Sequence, residues 1–213
     1  RSRAQVRIDP QNVVIAVLPG SRASEVAIML QPFLAALRLL RDRLPQRKIS
    51  AVIPCVNAAR RSQIEALLPQ FADLSIKLID NDARSALIAA DAALIKSGTS
   101  TLEAMLLGRP MVVSYKLGAF SYAIASRLVN TPYIALPNIL AGAELVPELI
   151  QEAATPAALA QALMLEIGEQ RTANDRRAAF TELHEQLRGG ASGLGASAAA
   201  AQEIFKLLEA RKG

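Results

Sequence analysis

Short apolar runs alternate along this chain with longer stretches in which apolar residues recur at helical spacing. The apolar runs are nearly continuous, which is typical of parallel strands covered on both faces. They predict strands at 13–18, 49–53, 76–79, 92–95 and 111–114, with a weaker candidate at 133–136. The stretches between them predict helices over 24–44, 58–68, 83–90, 99–107 and 120–129. This alternation indicates an α/β protein with a doubly wound, mostly parallel sheet.

The last third of the chain has a different pattern. Beyond Pro147 the runs typical of strands end. The spacing there predicts three further helices, over 159–167, 171–187 and 197–208. A glycine-rich stretch at 189–195 is short enough to be a flexible joint. The sequence therefore predicts a Rossmann-like lobe over residues 1–190, followed by a linker and an extra C-terminal helix over 191–213.

Capping signals support these boundaries. Ser21 or Ser24 is suited to cap the first predicted helix, and Asn57 precedes the second. Pro45 and Pro69 follow the ends of these two helices, where a residue that cannot continue a helix is expected.

Composition narrows the class of ligand. Of the 213 residues, 52% are hydrophobic but only 4% are aromatic, which indicates a core of Ala, Leu and Ile and leaves few rings for stacking bases. The net charge of +5 fits an anionic ligand. The basic residues are scattered along predicted helix faces, so we do not expect a nucleic-acid partner.

The reactive side chains are few. With a single cysteine, Cys55, and a single histidine, His184, the chain has neither a disulfide framework nor a cysteine or histidine metal cluster. We expect no metal and a reducing, cytoplasmic compartment. No apolar run approaches the roughly 18 residues of a membrane-spanning helix. The chain lacks both an initial Met and a signal-peptide core, and we interpret it as a piece of a longer protein.

A first candidate site lies where the strand at 13–18 turns into a helix through Gly20, Ser21 and Arg22. A glycine turn that opens a helix presents backbone N–H groups, and the helix N-terminus adds partial positive charge. We expect the N–H groups of these three residues to face a phosphate, with a bidentate contact from the Arg22 guanidinium. The alternative is an ordinary tight turn with an exposed arginine.

The same design recurs after the strand at 92–95, where Ser97, Gly98 and Thr99 begin a helix. Lys96 is placed to reach a diphosphate, or else to extend along the sheet edge into water. Glu103 is placed to accept hydrogen bonds from a ribose diol, or else to stabilise the helix N-terminus. Two such junctions favour a nucleotide ligand, although neither has the P-loop or G-x-G-x-x-G pattern.

A third segment holds candidate polar groups near the predicted strand at 133–136. Asn138 follows Pro137, which is expected to fix the amide facing a cleft, although asparagine is also a common turn former. Glu148 and Gln151 are three residues apart and are expected to share one helical face, turned towards a cleft or towards water.

Taken together, these segments resemble the lipid-A-disaccharide synthase family, whose members are GT-B glycosyltransferases of the outer-membrane lipid pathway. The match runs collinearly from about residue 13 to about residue 167. The residues that carry it are Leu18-Pro19-Gly20-Ser21-Arg22 with Glu25, Ser97-Gly98-Thr99 with Thr101-Leu102-Glu103, Pro110-Met111-Val112-Val113 with Tyr115, Leu136-Pro137-Asn138-Ile139-Leu140-Ala141-Gly142, Val146-Pro147-Glu148 with Gln151, and Ala154-Thr155-Pro156.

The resemblance implies an inverting transfer of 2,3-diacylglucosamine from UDP-2,3-diacylglucosamine to the 6-hydroxyl of 2,3-diacylglucosamine 1-phosphate, which releases UDP. It implies no cofactor and no metal. By the same analogy Arg22 binds the donor phosphates and Asn138 lies near the transferred sugar, so both are expected to be catalytic. The remaining residues expected to bind the donor are Gly20, Ser21, Lys96, Ser97, Gly98, Thr99, Glu103, Glu148 and Gln151.

The resemblance also implies partners. The chain matches the carboxy-terminal, donor-binding lobe, while the acid and base carboxylates of the family lie on an amino-terminal lobe. We therefore expect weak binding of UDP and no turnover by the chain alone. A homodimer through the C-terminal helices and peripheral contact with the cytoplasmic face of the inner membrane are further expectations.

Three alternatives remain open from the sequence. One is another UDP-sugar enzyme of the GT-B type, such as a UDP-N-acetylglucosamine epimerase or the peptidoglycan N-acetylglucosaminyltransferase. A second is a nucleotide-binding module without catalytic activity. A third is a membrane binder that uses a stripe within the predicted helix at 120–129 and nearby basic groups. The residues of that stripe are Lys116, Phe120, Tyr122, Ile124 and Arg127.

Overall fold

The computed structural model describes residues 8–116, 132–168, 170–188 and 195–210. Its centre is a sheet of six parallel strands in the order β3-β2-β1-β4-β5-β6. The strands are β1 (Val13–Leu18), β2 (Ile49–Cys55), β3 (Ser75–Asp80), β4 (Ala92–Lys96), β5 (Met111–Tyr115) and β6 (Glu148–Ile150). The predicted α/β class and doubly wound parallel sheet are confirmed.

Helices connect the strands and cover both faces of the sheet. They are α1 (Ala23–Arg43), α2 (Ala58–Glu65), α3 (Ala83–Ala89), α4 (Thr99–Leu106), α5 (Leu136–Ala141), α6 (Pro156–Gly168), α7 (Gln170–Leu187) and α8 (Ala196–Ala210). Two short 3₁₀ helices lie at Leu68–Phe71 and Gln151–Ala153. The helix predicted at 120–129 lies outside the described residues.

The central strand β1 shows how the chain forms two apolar layers. All six of its residues are buried. Alternate side chains of a strand point to opposite faces, so Val13, Ile15 and Val17 enter one core cluster and the residues between them enter the other. The first cluster includes the buried faces of α1 and α6, and the second those of α3, α4 and α7. A strand buried on both faces requires the continuous apolar run from which it was predicted.

Helix α1 is the principal helix of the first layer. Eight of its residues are buried, including Phe33 and Leu37. Its length and mean hydropathy alone also satisfy the criteria for a membrane-spanning helix, although no uninterrupted apolar run in it has that length. Its buried face packs within the sheet core, which is the position of a core helix.

Two expectations about the later elements are wrong. The weak strand candidate at 133–136 is not a strand, and Leu136 instead begins α5 with Pro137 in its first turn. The β signal does not end at Pro147, because Glu148–Ile150 pairs with β5 as the edge strand β6. A strand of three half-buried residues has too few positions to show a period of two in the sequence.

The C-terminal helices differ in their contacts. Phe180 and Leu183 of α7 are buried in the second core cluster, so this helix belongs to the packed body. Every described side chain of α8 is exposed. The proposed division at residue 190 stays a prediction. The partly buried helix α7 lies before this residue, and the exposed helix α8 lies after it.

Candidate functional site

A cavity of about 400 Å³ lies at the carboxyl ends of the strands. It lies where the strand order reverses, because the connections from β1 and from β4 leave the sheet in opposite directions at this point. The junction after β1 lines it on one side and the junction after β4 on the other. The predicted site residues among its lining are Gly20, Ser21, Arg22, Lys96, Ser97, Gly98 and Thr99. The structure therefore brings both glycine junctions to one hollow.

The carboxylate of Glu25 occupies the centre of the first junction. Its Oε2 accepts hydrogen bonds from the backbone N–H of Ser21, at 2.9 Å, and of Arg22, at 3.2 Å. Its Oε1 accepts from Nη1 of Arg22 and from Nζ of Lys96, both at 3.0 Å. The expectation that the N–H groups of Ser21 and Arg22 face a phosphate is therefore wrong in this structure, because a carboxylate of the chain already holds them.

This carboxylate is also why the turn requires glycine. Gly20 has φ of +118°, in the region that favours glycine. A Cβ at this position would lie 2.5 Å from the Cβ of Glu25 and 2.6 Å from its Oε2. Gly20 thus makes room for a side chain of the same turn. The residue at the N-cap of α1 is Arg22, and the expected caps Ser21 and Ser24 do not serve that role.

The charge state of Glu25 follows from these contacts. Burial acts to raise the pKa of the carboxyl, but hydrogen bonds from the Arg22 backbone, Lys96 and the Ser21 backbone outweigh it. Together they lower the pKa from its ordinary value of 4.5 to about 2. Glu25 is therefore ionised throughout the physiological range.

The two cations of the cavity differ in their exposure. The Arg22 side chain is 80% exposed and extends towards solvent at the cavity mouth, whereas that of Lys96 is only 13% exposed. Lys96 Nζ lies 4.7 Å from the ring centroid of Tyr115, in addition to its ion pair with Glu25. Lys96 is thus fixed inside the cavity, and its expected extension along the sheet edge into water is not found.

The second junction differs from the first because its helix start is open. Gly98 is the N-cap residue of α4 and Thr99 is exposed beside it. The first N–H groups of a helix generally have no acceptor within the helix, and Gly98, Thr99 and Ser100 line the cavity. The N–H of Thr101, one residue further, donates to the carbonyl of Gly98 at 3.1 Å. The hydroxyl of Ser97 is committed elsewhere, because it donates to the carbonyl of Ile134 at 2.7 Å. The hydroxyl of Thr101 is also committed, because it donates to the carbonyl of Gly98 at 2.7 Å.

The far end of the cavity is formed by the ends of β2 and β3. Pro54 and Val56 line it together with Asn81, Asp82 and Ala83. Asn81 has φ of +46° in the tight turn after β3, a conformation that asparagine tolerates better than most residues. Asp82 caps α3 by accepting from the N–H of Ser85 at 2.8 Å, and the hydrogen bonds from Ser85 lower the pKa of this carboxyl.

Glu103 does not line the cavity. It lies on α4, one turn beyond Gly98, and its side chain is exposed. Its expected contact with a ribose diol stays a prediction.

Asn138 is fully buried, with 0% exposure. Its Nδ2 donates to the carbonyl of Val146 and to Oε1 of Glu148, both at 2.8 Å. Its Oδ1 accepts from the N–H groups of Leu145, at 2.8 Å, and Val146, at 2.9 Å. The expectation that this amide faces a cleft is wrong, because the protein itself fills its hydrogen-bonding capacity.

Glu148 and Gln151 do not share a helical face. Glu148 is the first residue of β6, and Gln151 begins the 3₁₀ helix that follows. The Glu148 carboxylate accepts from the N–H groups of Ile134 and Ala135, the shortest distances being 2.9 Å and 2.8 Å. Both residues lie outside the cavity lining. Of the predicted site residues, Asn138, Glu148, Gln151 and Glu103 therefore do not line the cavity.

Sequence reasoning used Glu25 and Tyr115 only as part of the family match and missed their contacts with Lys96. It also did not predict the far end of the cavity, which is formed by Pro54, Val56, Asn81, Asp82 and Ala83. Glu25 is at the third position of α1, where an acidic side chain reaches back to the N-cap backbone in a capping box. That spacing after Arg22 was a usable signal. No sequence signal placed the Tyr115 ring beside Lys96.

Comparison with known proteins places the chain in a family. Residues 1–201 match the family model described as lipid-A-disaccharide synthetase. The chain is 45% identical over 198 residues to the lipid-A-disaccharide synthase of Erwinia tasmaniensis, covering 92% of this chain and 51% of that protein. It is 42% identical over 212 residues to that of Haemophilus influenzae, covering 97% and 53%. The chain thus spans about half the length of the curated relatives it matches.

Solved structures agree on the fold. WaaG, a glycosyltransferase involved in lipopolysaccharide biosynthesis, matches with a TM-score of 0.51 at 17% identity, over 87% of this chain and 45% of WaaG. Trehalose-6-phosphate synthase OtsA matches with a TM-score of 0.57 at 14% identity, over 86% and 41%. These neighbours are GT-B glycosyltransferases, so the expected Rossmann-like GT-B lobe is confirmed. The family match over most of the sequence, with this fold beneath it, shows that the chain belongs to the lipid-A-disaccharide synthase family.

Proposed function

We propose that this chain is the donor-binding lobe of a glycosyltransferase that makes the lipid A disaccharide. The reaction transfers 2,3-diacylglucosamine from UDP-2,3-diacylglucosamine to 2,3-diacylglucosamine 1-phosphate and releases UDP. The observation that carries the proposal is the meeting of the β1–α1 turn and the α4 N-terminus at one cavity. A volume of about 400 Å³ lies within the range of small-molecule pockets.

The geometry supports a specific role for each side of the cavity. The open N-terminus of α4 receives one phosphate of the donor, because its first N–H groups and its partial positive charge favour an anion. The Arg22 guanidinium at the cavity mouth receives the other phosphate. Lys96, which is less exposed than Arg22, adds a second positive charge deeper in the cavity. These groups stabilise the diphosphate as it departs, and no metal or cofactor enters the proposal.

Asn138 acts at a distance from the cavity in this arrangement. Its amide holds Glu148, and Glu148 holds the backbone N–H of Ile134. The carbonyl of Ile134 in turn accepts the hydroxyl of Ser97, which lines the cavity. This chain of hydrogen bonds supports a role for Asn138 in fixing the second junction next to the transferred sugar.

The remainder of the reaction requires groups from outside this chain. An inverting transfer needs a base that activates the acceptor hydroxyl, and we assign it to an amino-terminal lobe, since the chain spans about half of its relatives. We further propose a homodimer formed through the C-terminal helices. Because both substrates carry acyl chains, we place the enzyme in the cytoplasm, peripherally at the cytoplasmic face of the inner membrane.

Thermal-shift measurements with four nucleotides test the donor site. We expect UDP and UDP-N-acetylglucosamine to raise the melting temperature, with ATP and NAD having no effect. Arg22→Ala is expected to abolish the shift because it removes the exposed guanidinium. Arg47→Ala is the matched control, since Arg47 is an exposed arginine before the amino end of β2, at the opposite edge of the sheet. A response to adenine nucleotides alone would refute the uridine donor site.

The same protein tests the need for a second lobe. We expect this chain to bind UDP weakly and to form no disaccharide when both substrates are supplied. Robust disaccharide formation by the chain alone would contradict the assignment of the base to another lobe.

A further inference from the structure

We propose that Glu25 is a positioning residue of the donor site, which holds Arg22 and Lys96 side by side so that one diphosphate meets both cations. This rests on the proposed function, because Glu25 acts through the cations assigned there. The basis is a shared atom. Nη1 of Arg22 and Nζ of Lys96 each lie 3.0 Å from Oε1 of Glu25. The two cationic nitrogens are therefore at most twice that distance apart.

Two positive charges at this separation repel each other, and the carboxylate between them offsets the repulsion. It also gives each side chain a direction. Arg22 is 80% exposed, so within the described part of the chain its contact with Glu25 is what orients the guanidinium. Lys96 has a long, flexible side chain, which Glu25 and the ring of Tyr115 hold from two sides.

The other carboxylate oxygen fixes the backbone from which Arg22 projects. Oε2 holds the N–H groups of Ser21 and Arg22, and Gly20 leaves the space that this approach requires. Glu25 thus organises the backbone, the guanidinium and the ammonium group of this corner. The diphosphate is then met by side chains on this side and by the N-terminus of α4 on the other.

A different role for Glu25 makes the opposite prediction. If the carboxylate acted only as a negative charge beside the phosphates, its removal would strengthen UDP binding, because like charges repel. If it acted as a positioning group, its removal would weaken UDP binding. The sign of the change therefore decides between the two roles.

Calorimetric titration of UDP into this chain and into Glu25→Gln measures that sign. We expect the Kd of Glu25→Gln to be about tenfold higher, as for the loss of a charge-assisted contact. Glu25→Asp keeps the carboxylate on a shorter stem and is expected to lose only about threefold. In a Lys96→Met background, Glu25→Gln is expected to have a smaller effect, because one of the cations it positions is absent.

Asp73→Asn is a matched control. Asp73 also bridges two cations, Arg38 and Arg41, at 2.5 and 2.7 Å, but it lies outside the cavity lining. We expect it to lower stability and leave the Kd for UDP unchanged. Amide hydrogen exchange gives a readout without UDP, since the N–H groups of Ser21 and Arg22 should exchange faster in Glu25→Ala.

The outcomes separate this proposal from the one on which it rests. If the unmodified chain does not bind UDP, the proposed function fails and the positioning role fails with it. If the chain binds UDP and a folded Glu25→Gln binds it equally or more tightly, the positioning role alone is refuted. If circular dichroism shows Glu25→Gln to be unfolded, Glu25→Asp decides, and an unchanged Kd in that variant refutes the role.

Discussion

Glu25 carries a carboxylate that accepts four hydrogen bonds. Its pKa in the folded protein is about 2, against an ordinary value of 4.5. Because the folded carboxyl binds a proton less tightly than the unfolded one, the unfolded state takes up more protons between these two values. The stability that Glu25 contributes is therefore complete above about pH 4.5 and is lost as the pH falls towards 2.

This predicts a pH-dependent effect of Glu25→Gln. At pH 7 we expect the substitution to lower the free energy of unfolding by about 1–2 kcal/mol, a value that allows for partial solvent screening. The difference from the unmodified chain should shrink below pH 4.5. Urea denaturation from pH 7 to pH 3 measures it. Glu182→Gln, at an exposed position of α7, is the control. A difference that stays constant across this range would contradict the prediction.

The buried amide of Asn138 leads to a second prediction. Asn138→Ala leaves the N–H groups of Leu145 and Val146 without their acceptor in a buried setting. We expect a loss of about 3 kcal/mol in the free energy of unfolding. Asn57→Ala removes only the N-cap of α2, where the side chain accepts from the N–H of Arg60, and should cost about 1 kcal/mol. Urea denaturation compares the two. Equal losses would contradict the structural role of Asn138.

Sequence reasoning placed residues in the cavity better than it assigned their hydrogen-bond partners. Gly20, Arg22 and Lys96 were each predicted to bind the donor, and all three line one cavity. They meet because the carboxyl ends of neighbouring parallel strands lie at the same edge of the sheet. The capture of the turn N–H groups by Glu25 was not predicted. A backbone N–H group in a turn can donate to a ligand, to water or to a nearby side chain. The sequence does not show which acceptor is near enough, and in the folded chain it is Glu25 Oε2. The hydrogen bonds that bury the Asn138 amide were missed for the same reason, because their partners at residues 145–148 are selected only in the folded chain.

At the scale of elements, the β1–α1 turn depends on a glycine for two separate reasons. Gly20→Ala would force a residue with a side chain to φ of +118° and would bring its Cβ within 2.6 Å of Glu25 Oε2. We expect a loss of about 2–4 kcal/mol in the free energy of unfolding and weaker UDP binding. Urea denaturation and UDP titration measure the two effects.

The matched control for this turn is Gly142→Ala. Gly142 ends α5 with φ of +65°, but nothing lies within 4 Å of a Cβ built there. Only the left-handed backbone is then unfavourable, at about 1 kcal/mol. If the two alanine variants lose equal stability, contact with Glu25 is not what requires glycine at position 20.

The pattern of elements was predictable where each element is long and buried. β1 was predicted with its observed bounds, since six consecutive apolar residues are covered on both faces. β6 was missed because it has only three residues and pairs with β5 alone at the edge of the sheet. β6 forms because it pairs with β5, which lies about 35 residues earlier in the sequence. A hydrophobic pattern read over a few consecutive residues does not show such a pairing.

At the scale of the whole molecule, the strand order decides where the site lies. β1 and β4 are neighbours although two other strands separate them in sequence, so their following turns meet. The alternation of elements predicted the class of fold, and the family resemblance supplied the GT-B lobe. Neither argument predicted how α8 is placed against a partner, and the described side chains of this helix are exposed.

The exposed apolar face of α8 predicts self-association. Ile204, Leu207 and Leu208 are spaced three and four residues apart, so they share one helical face, and all are exposed. We expect the chain to dimerise as concentration rises, because burying this face removes apolar surface from water. Sedimentation velocity over a range of concentrations measures this.

A double substitution tests whether α8 is the interface. Ile204→Glu with Leu208→Glu places two charges on the apolar face and is expected to give a monomer at every concentration tested. Gln202→Glu adds a charge on the opposite side of the same helix and should leave association unchanged. Circular dichroism establishes that the helix persists in each variant.

Two outcomes would contradict this prediction. A dimer that survives the double substitution would show that the interface lies elsewhere than α8. An unmodified chain that stays monomeric at every concentration would refute the proposed homodimer.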